Sequence, residues 1–164
     1  MREADVAIRM HPPRQPDLVQ RHLGEIRSQI WASPDYLKAN GTPESVDDLD
    51  KHKLILFGDR KPPVPDVNWL GELGRKDGTA RRGVLEVNSL QAMLACIRAG
   101  IGIGAVPDYL VGDSSGLVPL LADVKKPPVD MYFVYPEELR NSKRVAVFRD
   151  FLVNSIAERN GVKG

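Results

Sequence analysis

One cysteine in 164 residues leaves no partner for a disulfide and no set of thiolates for a metal. Cys96 falls on the shoulder of an apolar helical stripe and reads as a small, buried or half-buried hydrophobe. The three histidines, His11, His22 and His52, are scattered along the chain. No His-Glu-x-x-His, Cys-x-x-Cys or Gly-x-Ser-x-Gly pattern occurs. The sequence thus offers no metal ligands, calls for no cofactor and pairs no nucleophile with a base, so it reads as a protein that is not an enzyme. Charge of one sign is also missing. The formal net charge is +1, which gives no global field toward nucleic acid. The pairs Arg75-Lys76, Arg81-Arg82, Lys125-Lys126 and Lys143-Arg144 read as solvated faces, as do the carboxylates Glu44, Asp47 and Asp48. No apolar run reaches the length of a membrane span and no signal peptide precedes Ala4, so the expected location is cytoplasmic and off the membrane.

What is present is an ordinary globular composition, 42% hydrophobic and 27% charged, long enough for one or two small domains. Residues 88–107 organise it. Asn88 or Ser89 can cap a helix, since a short polar side chain accepts an otherwise orphan backbone N–H. Leu90, Met93, Leu94 and Ile97 follow at helical spacing. Gly100 can close the helix in the left-handed conformation. Ile101 to Val106 reads as a buried strand whose glycines permit close approach, and Pro107 ends it before a short helix over 108–110. The glycines at 100, 102 and 104 are not a dinucleotide loop, which needs strand, glycines and helix in that order. A capped helix after the strand Val84–Val87 gathers free N–H groups and a positive dipole end, a site suited to a carboxylate or phosphate.

Along the rest of the chain, Ala4–Ile8 reads as a strand, Arg9–Asp17 as a proline-rich loop and Leu18–Trp31 as one long strand. Ser33–Gly41 is a short helix marked at both ends, and Ser45–Leu49 is a helical turn. Lys53–Phe57 is a strand, and Lys61–Pro65 is a polyproline-like spacer. Val67–Leu73 and Arg81–Val87 bracket an Asp77-Gly78 turn, which predicts a hairpin with Trp69 inward. Leu117–Leu121 and Met131–Tyr135 read as strands, separated by a Lys126-Pro127-Pro128 linker. Asn141 or Ser142 then caps a final helix carrying Val145, Phe148, Leu152 and Ile156 on one face. Alternating strands and helices give an α/β class. Val84–Val87, Ile101–Val106 and Met131–Tyr135 are expected in one sheet, with the helix Leu90–Ala99 packed on it.

Several segments in order resemble the effector-binding domain of LysR-type transcriptional regulators. Asp5-Val6-Ala7-Ile8-Arg9 is similar to its D-[VL]-A-I-R strand. Leu18-Val19, Arg21-x-Leu23 and Ala32-Ser33-Pro34-Asp35-Tyr36-Leu37 are similar to L-V-x-R-x-L…A-S-P-x-Y-L, and Asp48-Leu49 with His52 to D-L-x-x-H. Asn88 through Ala99-Gly100-x-Gly102-Ile103, then Pro107-x-Tyr109-Leu110, is similar to N…A-G-x-G-I…P-x-Y-L. Val145-x-x-Phe148-x-x-Phe151-Leu152 resembles the closing helix.

The resemblance implies a type 2, two-lobe periplasmic-binding-protein-like fold. Residues 25–138 would form the complete effector lobe, and residues 1–24 with 139–164 a partial first lobe. It implies a fragment of a longer regulator, which binds DNA only through an amino-terminal helix-turn-helix absent from this chain and assembles as a homodimer or homotetramer. It implies a small-molecule effector between the lobes. By position, Arg9, Asn88, Ser89, Leu90, Ile103 and Gly104 are the candidate ligand-binding residues, with negative charge on the ligand. A solute-binding protein for transport shares the fold and stands as the alternative; a small α/β enzyme is the third reading.

Overall fold

A computed structural model describes residues 5–12, 15–58, 66–76, 78–112, 116–124 and 126–159. In chain order the strands and helices are β1 (Ala7–Arg9), β2 (Leu18–Ile26), β3 (Ser28–Ala32), α1 (Pro34–Asn40), β4 (Ile55–Phe57), α2 (Trp69–Glu72), β5 (Leu85–Val87), α3 (Leu90–Arg98), β6 (Gly104–Pro107), α4 (Asp108–Val111), β7 (Val118–Leu120), β8 (Val129–Pro136) and α5 (Lys143–Arg159). Short 3₁₀ turns cover Asp47–Lys51 and Glu137–Leu139. The chain divides into two compact units, Arg27–Pro127 and the paired segments Met1–Ile26 and Pro128–Gly164.

In the continuous unit, β3 lies between β6 and β7, antiparallel to both. β4 and β5 pair in parallel, with Ile55 opposite Leu85 and Phe57 opposite Val87. A parallel bridge from Leu54 to Ile103 joins the two sheets. It is closed by Ile103 N–H to Lys53 O at 2.8 Å and Ile55 N–H to Ile103 O at 2.9 Å. Side chains alternate across a strand, so each strand feeds both faces. Leu54, Leu56, Ile103 and Ala105 enter one core with Ile30, Tyr36, Leu49 and Leu70. Ile55, Phe57 and Val106 enter the other with Met93, Leu94 and Ile97 of α3. Burial on both faces explains why these strands are continuously apolar in sequence. Each of the three α3 side chains contributes about 1.5–3 kcal/mol by leaving water. A methyl group on Gly104 would sit 2.8 Å from Ile97 Cδ1, and one on Gly102 would sit against the Lys53 carbonyl, so helix and strands approach as closely as those glycines allow.

In the split unit, β8 lies between β1 and β2, antiparallel to both. A bulge between His22 and Gly24 shifts the β2 register. Phe133, Tyr135 and Leu23 meet Val145 of α5, with Leu152 and Ile156 packed behind them. Phe148 stacks edge-on to Phe133 at 5.9 Å yet stays 41% exposed.

Local signals carried through. Ser33 Oγ accepts the Tyr36 N–H, Gly41 closes α1 at φ +84°, and Gly100 follows α3 at φ +72°. Expectations that depended on distant partners did not. The run Leu18–Trp31 is two strands, because the chain changes sheets at Arg27: β2 pairs with β8, and β3 with β6 and β7. The three strands expected in one sheet lie in three: β5 beside β4, β6 beside β3, and β8 between β1 and β2. β8 falls in the split unit because its whole length pairs with β2 from Leu18 to Ile26, and the continuous unit therefore ends at Pro127.

The hairpin over 67–87 is also absent. Val67–Leu73 turns into α2, and β5 instead runs parallel to β4. Asn68 sets this turn by bonding the Phe57 backbone through both ends of its amide. Asp77, the spacer Lys61–Pro65 and residue Ala4 lie outside the described residues. Arg81 is not a solvated residue; it is 9% exposed within the fold.

Candidate functional site

β5 delivers the chain to the amino end of α3. Ser89 has an extended backbone (φ −145°, ψ 135°), and its Oγ accepts the Ala92 N–H at 3.5 Å while its carbonyl accepts the Met93 N–H at 3.0 Å. Leu90 and Gln91 begin the helix, where backbone N–H groups have no intrahelical acceptor. Asn88 is exposed, Ser89 half-buried, and Leu90 packs against the α3 side of the sheet. The Gly58 N–H donates to Val87 O at 2.8 Å, which holds the carboxyl end of β4 beside that of β5. In parallel α/β units, ligands sit outside the carboxyl ends of the strands, next to the helix amino ends. Asn88, Ser89 and Leu90 occupy that position.

Ile103 and Gly104 do not join them. Ile103 pairs with Leu54, three residues before the Phe57–Val87 pair, so it stands about 10 Å down the sheet at the opposite end. Its side chain is fully buried, and its N–H and C=O close the bridge between sheets. Gly104 lies under the middle of α3, against Ile97 and Met93. At the carboxyl end of β6 stands Asp108 instead, its N–H bonded to Arg27 O at 3.0 Å. Partial desolvation raises its carboxyl above the ordinary range, opposed by the charge of Arg27. Arg9 ends β1 in the split unit, opposite Tyr132, and is half-buried.

Three features escaped the sequence. The Trp31 indole N–H is buried with no acceptor among the described residues, in the cluster that includes Val87 and Leu90. Such a donor is costly to leave unpaired. Arg81 donates to Asp50 Oδ1 at 2.5 Å, to Leu73 O at 2.5 Å and to Val46 O at 3.1 Å, and Arg75 meets the same Asp50 oxygen at 2.7 Å. The Arg81 hydrogen bond holds the Asp50 carboxyl below its usual range. His52 Nδ1 lies 3.1 Å from the Tyr36 hydroxyl. Only the arginine pair was visible in sequence, and nothing local marked one member as buried.

Among the described residues no group of three histidine, cysteine or carboxylate side chains is placed to hold a metal, and no helix is long and apolar enough to cross a membrane. The chain matches the family described as the LysR substrate binding domain over residues 1–157. It is 32% identical over 138 residues to an uncharacterized HTH-type transcriptional regulator of Haemophilus influenzae, covering 80% of this chain and 46% of that one. It is 30% identical over 161 residues to the uncharacterized HTH-type transcriptional regulator YhjC of Escherichia coli, covering 94% and 52%. The chain therefore spans about half the length of the curated relatives it matches. The solved regulatory domain of CrgA, a LysR-type transcriptional regulator from Neisseria meningitidis, superposes with a TM-score of 0.75 at 26% identity, covering 94% of this chain and 76% of that domain. With helix-turn-helix regulators as relatives, the transport alternative is not favoured. The chain belongs to the LysR substrate-binding family, the effector-binding domain of LysR-type transcriptional regulators, with the type 2 periplasmic-binding-protein-like fold.

Proposed function

We propose that this domain senses a small anionic effector at the amino end of α3 and passes the signal to a DNA-binding domain elsewhere in a longer regulator. The observation that carries this reading is the Ser89-capped helix standing at the carboxyl ends of the parallel strands β4 and β5, within a substrate-binding family. The dipole and the first-turn N–H groups favour negative charge there. The Ser89 hydroxyl and the exposed Asn88 amide add donors, and Leu90 adds an apolar edge. Ile103 and Gly104 shape the sheet under α3 rather than touch the effector. The units 27–127 and 1–26 with 128–159 correspond to the effector lobe and to part of the first lobe. The domain carries out no catalysis, and the complete regulator is a cytoplasmic homodimer or homotetramer that reaches DNA through its helix-turn-helix.

Titration calorimetry with a panel of small mono- and dicarboxylates tests the site. Ser89→Ala weakens binding by about 0.5–1.5 kcal/mol through one lost hydrogen bond. Equal affinities for wild type and Ser89→Ala would remove this site.

A further inference from the structure

A second polar pocket lies in the continuous unit, at the other end of β4 from Ser89. It has a volume of about 270 Å³ and is walled by His52, Asp50, Arg75, Arg81 and Arg82 over the apolar floor of Leu49 and Leu54. Leu54 is the β4-end residue that pairs with Ile103, so the pocket faces the amino ends of the parallel strands.

Its charges do not balance. Among the described residues three guanidinium groups face one carboxylate, an excess of two positive charges. Arg81 is spent on the fold: its side chain is 6% exposed and holds Asp50, Leu73 O and Val46 O. Arg75 and Arg81 converge on the same oxygen of Asp50, so a single carboxylate serves two cations. Arg82 is exposed and makes no hydrogen bond or ion pair among the described residues. Tyr36 Oη accepts the Lys53 N–H at 2.9 Å and lies 3.1 Å from His52 Nδ1. The wall therefore presents planar guanidinium forks beside the His52 imidazole, with one carboxylate that is already doubly engaged. That is the donor set of an oxyanion site, and the excess charge matches a dianion.

We propose that the pocket of His52, Arg75, Arg81 and Arg82 binds a small tetrahedral dianion, phosphate or a phosphate monoester, independently of the effector site at α3. Arg82 and Arg75 supply the free donors, Arg81 adds positive charge from the wall, and the His52 ring lies beside them. The ligand would bridge the 3₁₀ turn 47–51 and the side chains of Arg75 and Arg82.

The test is thermal unfolding of the chain in inorganic phosphate and in glycerol 3-phosphate, against sodium chloride at matched ionic strength. A ligand that binds only the native state raises the melting temperature with concentration. The expected result is a shift beyond chloride, with Arg82→Ala and Arg75→Ala each weakening the apparent affinity at least about tenfold, as loss of a charge-assisted hydrogen bond does. Both side chains are exposed enough to be removed without unfolding the domain, which circular dichroism of the variants verifies. A larger shift with the monoester assigns the pocket to a phosphorylated metabolite; equal shifts assign it to free phosphate. No shift beyond chloride in wild type, or an undiminished shift in Arg82→Ala, overturns the proposal. So does a shift that disappears in Ser89→Ala and survives in Arg82→Ala, since that places the anion at α3.

Discussion

The side-chain amide of Asn68 bonds the backbone of Phe57 twice, taking its N–H at 2.7 Å and donating to its C=O at 2.6 Å. A side chain eleven residues away thus meets the Phe57 backbone groups on the edge where Ile55 N–H bonds Ile103 O. Asn68→Ala leaves two backbone groups without their partners and should destabilise the domain by about 1–3 kcal/mol in urea titration. Asn68→Asp should cost at least as much, because a carboxylate then faces the Phe57 carbonyl. A loss within measurement error would show that water substitutes for the amide.

Gly102 and Gly104 make different predictions under the same substitution. Alanine at 104 meets the flexible tip of Ile97, which can yield, so the cost should be about 1–3 kcal/mol. Shortening the tip with Ile97→Val should recover part of it in the double variant. Alanine at 102 meets a main-chain carbonyl of Lys53 inside the inter-sheet bridge, and no side-chain change relieves that. Gly102→Ala should therefore be the more damaging of the two, and equal melting temperatures would contradict this packing.

Asp48 is expected to titrate well below the ordinary aspartate value. Bonds from the Ser45 hydroxyl, the Lys51 ammonium and the Ser45 N–H bring it from 3.8 to about 2. The folded state favours the carboxylate, so its stabilising effect is complete above about pH 4 and fades as pH falls from there through about 2. The Asp48 carboxyl resonance in an NMR pH titration should show its midpoint near 2, and Ser45→Ala should move that midpoint upward. A midpoint at the ordinary value in wild type would refute the network.

Trp31 buries an indole N–H that bonds nothing described. Trp31→Phe therefore removes an unmet donor along with packing area. Its cost should fall below the roughly 3–5 kcal/mol typical of aromatic truncation to alanine, and below that of Trp31→Ala measured alongside. If Trp31→Phe proves as destabilising as the alanine variant, the indole nitrogen has a partner.

Arg81 cannot be replaced by its chemical cousin. Three acceptors in different directions suit a guanidinium fork, and an ammonium reaches fewer of them. Arg81→Lys should lose about 1–3 kcal/mol in chemical denaturation, since Leu73 O or Val46 O goes unmet. Full stability in the lysine variant would mean that these carbonyls are solvated.

What the sequence disclosed was whatever neighbouring residues decide among themselves. Ser33 with Pro34 and Gly41, or Ser89 with the stripe from Leu90 to Ile97, specify a helix and its ends without outside help. Strand partnership is decided at long range. Nothing between Leu18 and Trp31 marks the change of sheet at Arg27, and nothing in Val67–Leu73 announces the Asn68 clamp. The candidate site divides the same way. Ser89 was legible as a cap, but that Ile103 sits at the far end of the sheet depends on the parallel pairing of β4 with both β5 and the start of β6. The burial of Arg81 was hidden because its partner Asp50 lies thirty-one residues earlier.

The pairing of Ile26 with Val129 has a kinetic consequence. The ladder between β2 and β8 is a hairpin whose turn is the whole Arg27–Pro127 unit. Closing a disordered turn of about a hundred residues costs roughly 4 kcal/mol in chain entropy, before the constant that any closure adds. A unit already folded, with its first and last residues held near each other, removes most of that cost. Once residues 27–127 have structure, the β2–β8 ladder can zip outward from Ile26 and Val129 at little further entropic cost.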